Sequence, residues 1–259
     1  MTGRRVDYDR LAARFDRRYE KSDYTGVAAT LDAFAGETPL DLLEVGCGTG
    51  HWLAREAARG HRVAGVEPAR AMLARARVSA PAARVARGRA EALPWPDARF
   101  DRVFCINAYH HFTDAPTFLG EALRVLRPGG ALQTIGLDPH DPGARWWIYD
   151  WFEPVRALDL ARYRPTAEIR AAMTAAGFAR AETSVAQHLP HRRSFAQAER
   201  DGRLEKGWTS QLAILSDAEF ETGIARLRAA AADAARRGEE LWLEGDLRLF
   251  ATTARKAPE

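Results

Sequence analysis

The stretch from Leu40 to Gly50 reads LDLLEVGCGTG, and its pattern decides the fold. Residues 40–45 form a short apolar run that predicts a buried strand, and the alternating glycines after it predict a tight turn. A helical pattern over residues 51–59 begins directly after the turn. Glycine lets the backbone turn sharply and lets a ligand approach where a Cβ atom would collide. The following helix would direct free N–H groups and a partial positive charge at that ligand.

The same alternation of strand and helix continues on the carboxyl-terminal side of this turn. Further strands are predicted over residues 62–66, 83–86, 100–106 and 131–137, with helices over residues 68–78 and 115–126. Strands that alternate with helices through short turns predict an α/β fold, in which a parallel sheet has helices on both faces.

The rest of the chain departs from this alternation but is expected to belong to the same single domain, 1–259. Residues 1–36 predict an N-terminal helical cover over the cofactor-binding core, 37–137. Two stretches without strand pattern, 138–165 and 188–240, are interpreted as lid or substrate insertions. The second contains a long alanine-rich helix that Ser216 would cap. Strands over 178–189 and 241–253 would flank it.

Composition excludes several classes of protein. No run of about 18 apolar residues is present, so a membrane span is not expected, and the N-terminus has no apolar region typical of a secretory signal. The two cysteines, Cys47 and Cys105, exclude a disulfide framework and indicate a reducing, cytoplasmic environment. The net charge of +3 comes from dispersed arginines, which argues against a nucleic acid partner. The oligomeric state stays open.

An acidic residue, Glu67, ends the predicted strand 62–66 and is the second candidate for ligand binding. A carboxylate at this place can accept two hydrogen bonds from the hydroxyl groups of a ribose. The alternative is a surface glutamate that caps the helix beginning at Pro68, because acidic side chains favour helix N-termini.

Three further motifs follow in order: GRAEALPW at residues 88–95, FDRV at 100–103 and RVLRPGG at 124–130. With the glycine turn and Glu67, they resemble the class I S-adenosylmethionine-dependent methyltransferases, in particular the ubiquinone/menaquinone-biosynthesis-like small-molecule subgroup. The resemblance implies S-adenosylmethionine as cofactor and methyl transfer to an oxygen, nitrogen or carbon of a small molecule. It also implies a doubly wound, Rossmann-like, seven-stranded, mostly parallel sheet of order 3-2-1-4-5-7-6, with the last strand antiparallel and helical lid insertions.

The resemblance also implies which residues bind the cofactor. Glu44 would face the methionine amino group or the loop amides, Glu67 the ribose, and Asn107 the methionine end. The full set of implied cofactor-binding residues is Glu44, Gly46, Cys47, Gly48, Gly50, Glu67, Pro68, Met72, Ala90, Glu91 and Asn107. Arg89 stands where the family often has aspartate, so a side-chain contact to adenine is not carried over at this position.

A polar and aromatic cluster, Tyr109-His110-His111-Phe112, follows the predicted strand 100–106. Methyl transfer mainly requires a positioned nucleophile, and a histidine can serve as base for a protonated acceptor. His110 and His111 are the candidate catalytic residues, and Tyr109 is a candidate substrate residue. The alternative is a structural histidine that anchors the next helix, for which His111 is favoured.

Five aromatic residues fall within residues 146–152, WWIYDWF. A helix here would place Trp147 and Trp151 on one face, where they could form a wall for a flat or apolar acceptor. The alternative is a small core inside the lid. His188 and His191 invite a metal site, but they lack a nearby set of carboxylates or thiols, so no metal site is predicted.

Two other functions stay open. The domain could bind S-adenosylmethionine without methyl transfer, or catalyse another reaction such as cyclisation. A nicotinamide-dependent oxidoreductase is more remote, because its GxGxxG motif would require glycine where His51 stands.

Overall fold

One twisted sheet of eight strands organises the computed structural model, which describes residue 4 and residues 6–258. The strands are β1 (Asp41–Val45), β2 (Arg62–Glu67), β3 (Arg84–Arg87), β4 (Phe100–Ile106), β5 (Leu126–Leu137), β6 (Arg145–Trp146), β7 (Ala179–Ser194) and β8 (Trp242–Arg255). Strands β1 to β5 are parallel to one another in the order 3-2-1-4-5. Strand β8 is antiparallel to its neighbours β5, β6 and β7.

This order is similar to the predicted one, with one correction. The sheet has eight strands instead of seven, because the two-residue strand β6 pairs with β8 at Asp246 and Gly245. Strand β8 has 14 residues and pairs with β5 only over residues 249–255. The first half of β8 therefore extends beyond the end of β5, and β6 pairs with β8 there.

Helices cover both faces of the sheet and build its roof. The α-helices of the described residues are α1 (Tyr8–Leu11), α2 (Arg17–Lys21), α3 (Thr25–Ala35), α4 (His51–Ala58), α5 (Arg70–Ser79), α6 (Ala115–Val125), α7 (Trp147–Trp151), α8 (Pro154–Arg162), α9 (Thr166–Ala175), α10 (Phe195–Arg200), α11 (Ser210–Ala213) and α12 (Asp217–Arg236). Short 3-10 turns lie at Ala12–Arg14 and Tyr109–His111. Ser216 caps α12 as predicted, in a capping box with Glu219.

The core lies on both faces of the central strands. All five residues of β1 are buried, and successive side chains of a strand point to opposite faces. Leu42 packs with Phe104 in one apolar cluster, whereas Leu43 packs with Val103 in the other. A strand buried on both faces is fixed in position, so the turn that leaves it is fixed as well.

A third apolar cluster lies within the insertions. It joins α7, α11 and α12 through residues that include Trp147, Leu212, Phe220 and Leu227. Most of the aromatic segment 146–152 therefore packs into a core inside the lid, which was the alternative to an aromatic wall for the acceptor.

Two predicted segments differ from the structure. The strand predicted over 178–189 continues to Ser194 as β7 and pairs with β8 throughout, so residues 188–194 belong to the sheet and not to an insertion. The N-terminal cover consists of short helices and a 3-10 turn before α3. Its residues 1–3 and 5 lie outside the described part of the chain, as does residue 259.

A buried carboxylate holds the amino ends of the central strands together. Asp41, only 4% exposed, binds Arg62 at 2.9 Å, Arg99 at 3.0 Å and Arg127 at 2.9 Å. The hydrogen bond from Arg62 contributes most to holding the pKa of Asp41 well below its usual range, against the opposing effect of burial. The carboxylate therefore stays ionised and links residues from β2 and β5 to β1.

We predict that Asp41→Asn lowers the free energy of unfolding at pH 7 by about 1–3 kcal/mol, because it removes the charge of a buried carboxylate that accepts hydrogen bonds from Arg62 and Arg127 and pairs with Arg99. The pKa of Asp41 is lower in the folded state, so its contribution is present above the unfolded pKa of about 3.9 and is lost as the pH falls. Urea unfolding at pH 7 and pH 3 should show the difference between wild type and variant shrinking at pH 3.

The matched control is Asp97→Asn, which removes a 77% exposed carboxylate that pairs with Arg124. An exposed pair of this kind contributes at most about 1 kcal/mol. Equal losses in the two variants at pH 7 would contradict the role assigned to Asp41.

Candidate functional site

The carboxyl ends of β1, β2 and β4 open into one cavity of about 940 Å³. Glu44, Glu67 and Ile106 from these strands line its floor. The N-terminal segment, the 3-10 turn at Tyr109–His111 and residues of the insertions line the remaining walls. The volume lies at the upper end of the usual range for ligand pockets.

The glycine turn after β1 is tied to strand β2. The backbone N–H groups of Gly46 and Cys47 both donate to the carbonyl oxygen of Val66, at 2.8 and 3.1 Å. Gly46 has φ +76°, and a Cβ atom there would lie 2.6 Å from the Cβ of Ala108. Only glycine therefore lets the exits of β1 and β4 approach each other so closely.

Glu67 bridges the glycine turn and helix α5. Its Oε2 accepts a hydrogen bond from the amide of Gly48 at 3.0 Å, and its Oε1 accepts one from the amide of Ala69 at 2.9 Å. Burial raises the pKa of Glu67, and the two amides partly offset this effect. The carboxylate supports the loop and the helix start, yet it lines the cavity and keeps lone pairs for a ligand.

Glu44 carries a buried oxygen without a hydrogen-bond partner among the described residues. The residue is 2% exposed, and the unpaired atom is Oε2. Burial, followed by the nearby charges of Glu67 and Glu56, raises the pKa of Glu44 well above its usual value. A buried acidic group in this state is costly, and a cationic ligand group would relieve the cost.

The remaining predicted cofactor-binding residues divide into two groups. Most of them line the cavity: Gly46, Cys47, Gly48, Pro68, Met72, Ala90, Glu91 and Asn107. Gly50 is not among the cavity-lining residues; it precedes α4 with φ +84° and packs against Ala76 and Ser79 of α5. Its role in the structure is to turn the chain into the helix.

The carboxylate of Glu91 is already used within the protein. It accepts hydrogen bonds from the amide and hydroxyl of Thr113, at 2.6 and 2.7 Å, and from the amide of Asp114. Burial raises the pKa of Glu91, but these hydrogen bonds outweigh it and lower the pKa to about 2. The side chain fixes the loop after β3 to the start of α6.

The two candidate catalytic histidines have different surroundings. His110 lines the cavity, its ring stacks on Tyr163 at 3.9 Å between centroids, and its buried Nε2 has no partner among the described residues. The Nε2 of His111 lies 2.6 Å from the hydroxyl of Tyr8. Burial lowers both pKa values, as do the charges of Arg162 and Arg18; that of His111 falls to about 3. Both rings are therefore neutral near pH 7.

Two of the three predicted substrate residues do not line the cavity, which corrects the prediction. Tyr109 packs in the core against Phe112 and Phe118. Trp151 packs on the lid cluster. Trp147 does line the cavity. Both tryptophans of α7 contact the lid cluster, and only Trp147 also reaches the cavity.

Several cavity residues had no sequence signal. They come from segments far apart in the chain, and no local motif connects them: Tyr8, Phe15, Arg18, Tyr19, Arg162, Tyr163, Arg193, Arg203, Trp208 and Gln211. In the N-terminal segment, Phe15 and Tyr19 fall at helical spacing with Leu11, a pattern that predicts a helix but gives no sign of a ligand. His188 and His191 also line the cavity, and the described residues contain no cluster suited to a metal ion.

Comparison with known proteins identifies the central region. Residues 43–134 match the family described as "Methyltransferase domain". The demethylmenaquinone methyltransferase of Thermus thermophilus is 36% identical over 125 residues, which cover 46% of this chain and 57% of that protein. The phthiotriol/phenolphthiotriol dimycocerosates methyltransferase of Mycobacterium leprae is 34% identical over 163 residues, covering 61% of this chain and 59% of that protein.

Each of these matches covers less than two thirds of the relative. A solved structure is similar over more of its length: a putative methyltransferase from an antibiotic biosynthesis pathway of Anabaena variabilis, with a TM-score of 0.69 and 25% identity. That comparison covers 89% of this chain and 97% of the other. Among the described residues, no helix has the length and apolar character needed to span a bilayer.

We predict that the ring of His111 stays neutral down to pH 5, because burial and the arginine charges lower its pKa to about 3. An unperturbed histidine has a pKa of about 6.5. As the pH falls below about 6.5, this histidine takes up a proton in the unfolded chain but not in the folded one, so the folded state becomes less stable. NMR titration should show constant ring chemical shifts of His111 from pH 8 to pH 5.

The signal is assigned by its loss in His111→Gln. A titration midpoint between pH 6 and 7 would show that the ring is accessible to solvent, contrary to the packing against Tyr8.

Proposed function

We propose that the chain is a class I S-adenosylmethionine-dependent methyltransferase and transfers a methyl group from S-adenosylmethionine to a small molecule. The match of residues 43–134 to a methyltransferase domain and the similarity to a demethylmenaquinone methyltransferase support this proposal. The acceptor atom would be an oxygen, nitrogen or carbon. The observation that carries this proposal is the pair of buried carboxylates, Glu44 and Glu67, at the carboxyl edge of the sheet.

The cavity residues fit the methionine end of this cofactor, which has one ammonium and one carboxylate group. Oε2 of Glu44 and Nε of Arg18 are both buried and unpaired among the described residues, and both residues line the cavity. The guanidinium of Arg18 lies over the ring of Phe15, 3.7 Å from its centroid. We assign Glu44 to the ammonium and Arg18 to the carboxylate.

The other end of the cofactor would lie beside β2 and β3. Glu67 would accept hydrogen bonds from the ribose hydroxyls, while Pro68, Met72 and Ala90 would line the adenine. The side chain of Arg89 donates to the hydroxyl of Thr113 at 2.7 Å, which agrees with leaving it out of adenine binding. The cofactor supplies a methyl group activated by its sulfonium, and this chain supplies the position of the acceptor.

The acceptor would bind in the remaining part of the cavity. Trp147, Ile148 and Leu243 give this part an apolar wall, which suits a small molecule better than a nucleic acid. Residues 138–165 and 195–240 would form the lid over the acceptor part of the cavity, and they would belong to the same single domain as the core. The two cysteines, Cys47 and Cys105, are buried and unpaired, which supports a reducing, cytoplasmic environment.

The histidines take separate roles in this proposal. His110 orients the acceptor or accepts its proton through Nε2, the unpaired atom. His111 holds the N-terminal segment over the cavity through the hydroxyl of Tyr8.

We predict that Glu67→Ala weakens the binding of S-adenosylhomocysteine, the demethylated cofactor, by about 1.5–3 kcal/mol, the range for hydrogen bonds to a charged group. Glu44→Gln should also weaken it, because the amide cannot balance the ammonium charge. Calorimetric titration gives the affinities, and transfer of a labelled methyl group to a panel of small molecules tests the reaction.

The control is Glu182→Ala, which removes an exposed carboxylate on β7. Absence of binding to wild type, or equal binding by Glu67→Ala, would refute the cofactor assignment. Binding without transfer to any acceptor would favour the open alternative of a domain that uses the cofactor for something else.

We predict that His110→Ala lowers kcat by about 10²-fold or more if Nε2 removes a proton from the acceptor. The measurement is the pH dependence of kcat and KM for an acceptor found in the panel. A tenfold loss that resides in KM would limit His110 to positioning, and unchanged kinetics would remove it from the mechanism.

A further inference from the structure

The cavity contains an arginine with hydrogen-bond donors that neither the protein nor the assigned cofactor satisfies. Arg162, the last residue of α8, lines the cavity, and its side chain is 13% exposed. Its Nη2 donates to Asp159 at 2.8 Å. Its Nε and Nη1 are buried and have no hydrogen-bond partner among the described residues. Such donors are costly to leave unpaired.

The charged groups of the cavity are unevenly distributed. Glu44 and Glu67 lie at the end assigned to the cofactor, which carries two positive charges and one carboxylate. Arg162, Arg193 and Arg203 line the walls formed by the insertions and β7. These three positive groups therefore outnumber the single carboxylate of the cofactor.

Arg203 pairs with Asp201 at 3.6 Å, whereas the acidic residues of the cavity leave two nitrogens of Arg162 without a partner. Asp23 and Glu91 line the cavity, but Asp23 accepts hydrogen bonds from Thr25 and Glu91 pairs with Arg89, and among the described residues neither forms an ion pair with Arg162. Asp159 contacts one nitrogen of Arg162 and also accepts the hydroxyl of Tyr149 at 3.0 Å. Burial raises the pKa of Asp159, and the hydrogen bond from Arg162 offsets part of this effect. The pair therefore occupies one nitrogen of the guanidinium and leaves Nε and Nη1 without partners.

Arg162 lies close to His110 and to apolar surface. Its guanidinium is 5.5 Å from the ring centroid of Tyr163, and Tyr163 stacks on His110. Trp147, Ile148 and Leu243 line the same cavity. A ligand that satisfies this arrangement has an apolar body and one negatively charged oxygen group.

We propose that the methyl acceptor is an apolar small molecule with an oxyanion, and that Arg162 binds this oxyanion beside His110. The proposal rests on the proposed methyl transfer and names the class of its substrate. Arg162 is then a residue that determines specificity, and its pairing with Asp159 fixes the direction of the guanidinium.

The test uses three probes of similar shape: 2-naphthoate, 2-naphthyl phosphate and the neutral 2-naphthamide. Each is titrated by calorimetry into the full-length protein saturated with S-adenosylhomocysteine. We expect at least one anionic probe to bind tenfold or more tightly than 2-naphthamide. The preference between 2-naphthoate and 2-naphthyl phosphate then shows whether the oxyanion of the acceptor is a carboxylate or a phosphate.

Three variants test whether Arg162 causes the preference for the anionic probes. Arg162→Gln should remove the preference, and the double variant Asp159→Asn/Arg162→Gln should do the same without leaving a buried charge unpaired. Arg156→Gln is the matched control, because Arg156 is an exposed arginine on the same helix, and it should keep the preference. All three should bind S-adenosylhomocysteine within about threefold of wild type, since Arg162 is not assigned to the cofactor.

The outcomes separate the two proposals. Binding of S-adenosylhomocysteine with equal or no binding of the three probes overturns the assignment of an anionic acceptor and leaves methyl transfer standing. A preference that persists in both Arg162 variants also overturns it. Failure of wild type to bind S-adenosylhomocysteine refutes the proposed function, and with it the inference.

Discussion

The hydrogen bonds from Gly46 and Cys47 to the carbonyl of Val66 determine where everything else in the site lies. They bend the chain as it leaves β1 and hold it against the end of β2. Glu44 and Glu67 consequently face the same cavity although 23 positions separate them in the chain (67 − 44). The close approach of Ala108 to Gly46 then brings the exit of β4, with its histidines, to the same place.

Charge is the second organising feature of the cavity. Glu44 and Glu67 belong to the central strands, whereas Arg162, Arg193 and Arg203 belong to the added segments. A cationic cofactor and an anionic acceptor would therefore enter parts of the cavity with opposite charge. His110 also lines the cavity, and burial lowers its pKa well below the usual value, so its ring adds no charge.

The sequence predicted the central part of the fold because each element there carries a local signal. The glycine turn, Glu67 and the capping residue Ser216 are all readable from their immediate neighbours. The acceptor side was not readable, since Tyr8 meets His111 across 103 positions and no short motif records such a contact. Tyr109 was misplaced for a different reason: its aromatic side chain suits a pocket and a core equally, and only packing against Phe118 distinguishes the two.

A crystal structure with S-adenosylhomocysteine tests the central claim, that the two buried carboxylates and the glycine turn form the cofactor site. The account predicts the ribose hydroxyls on the carboxylate of Glu67, the amino group beside Glu44, and no contact between the ligand and Arg162. Density for the ligand at another edge of the sheet, or a ribose away from Glu67, would contradict the account.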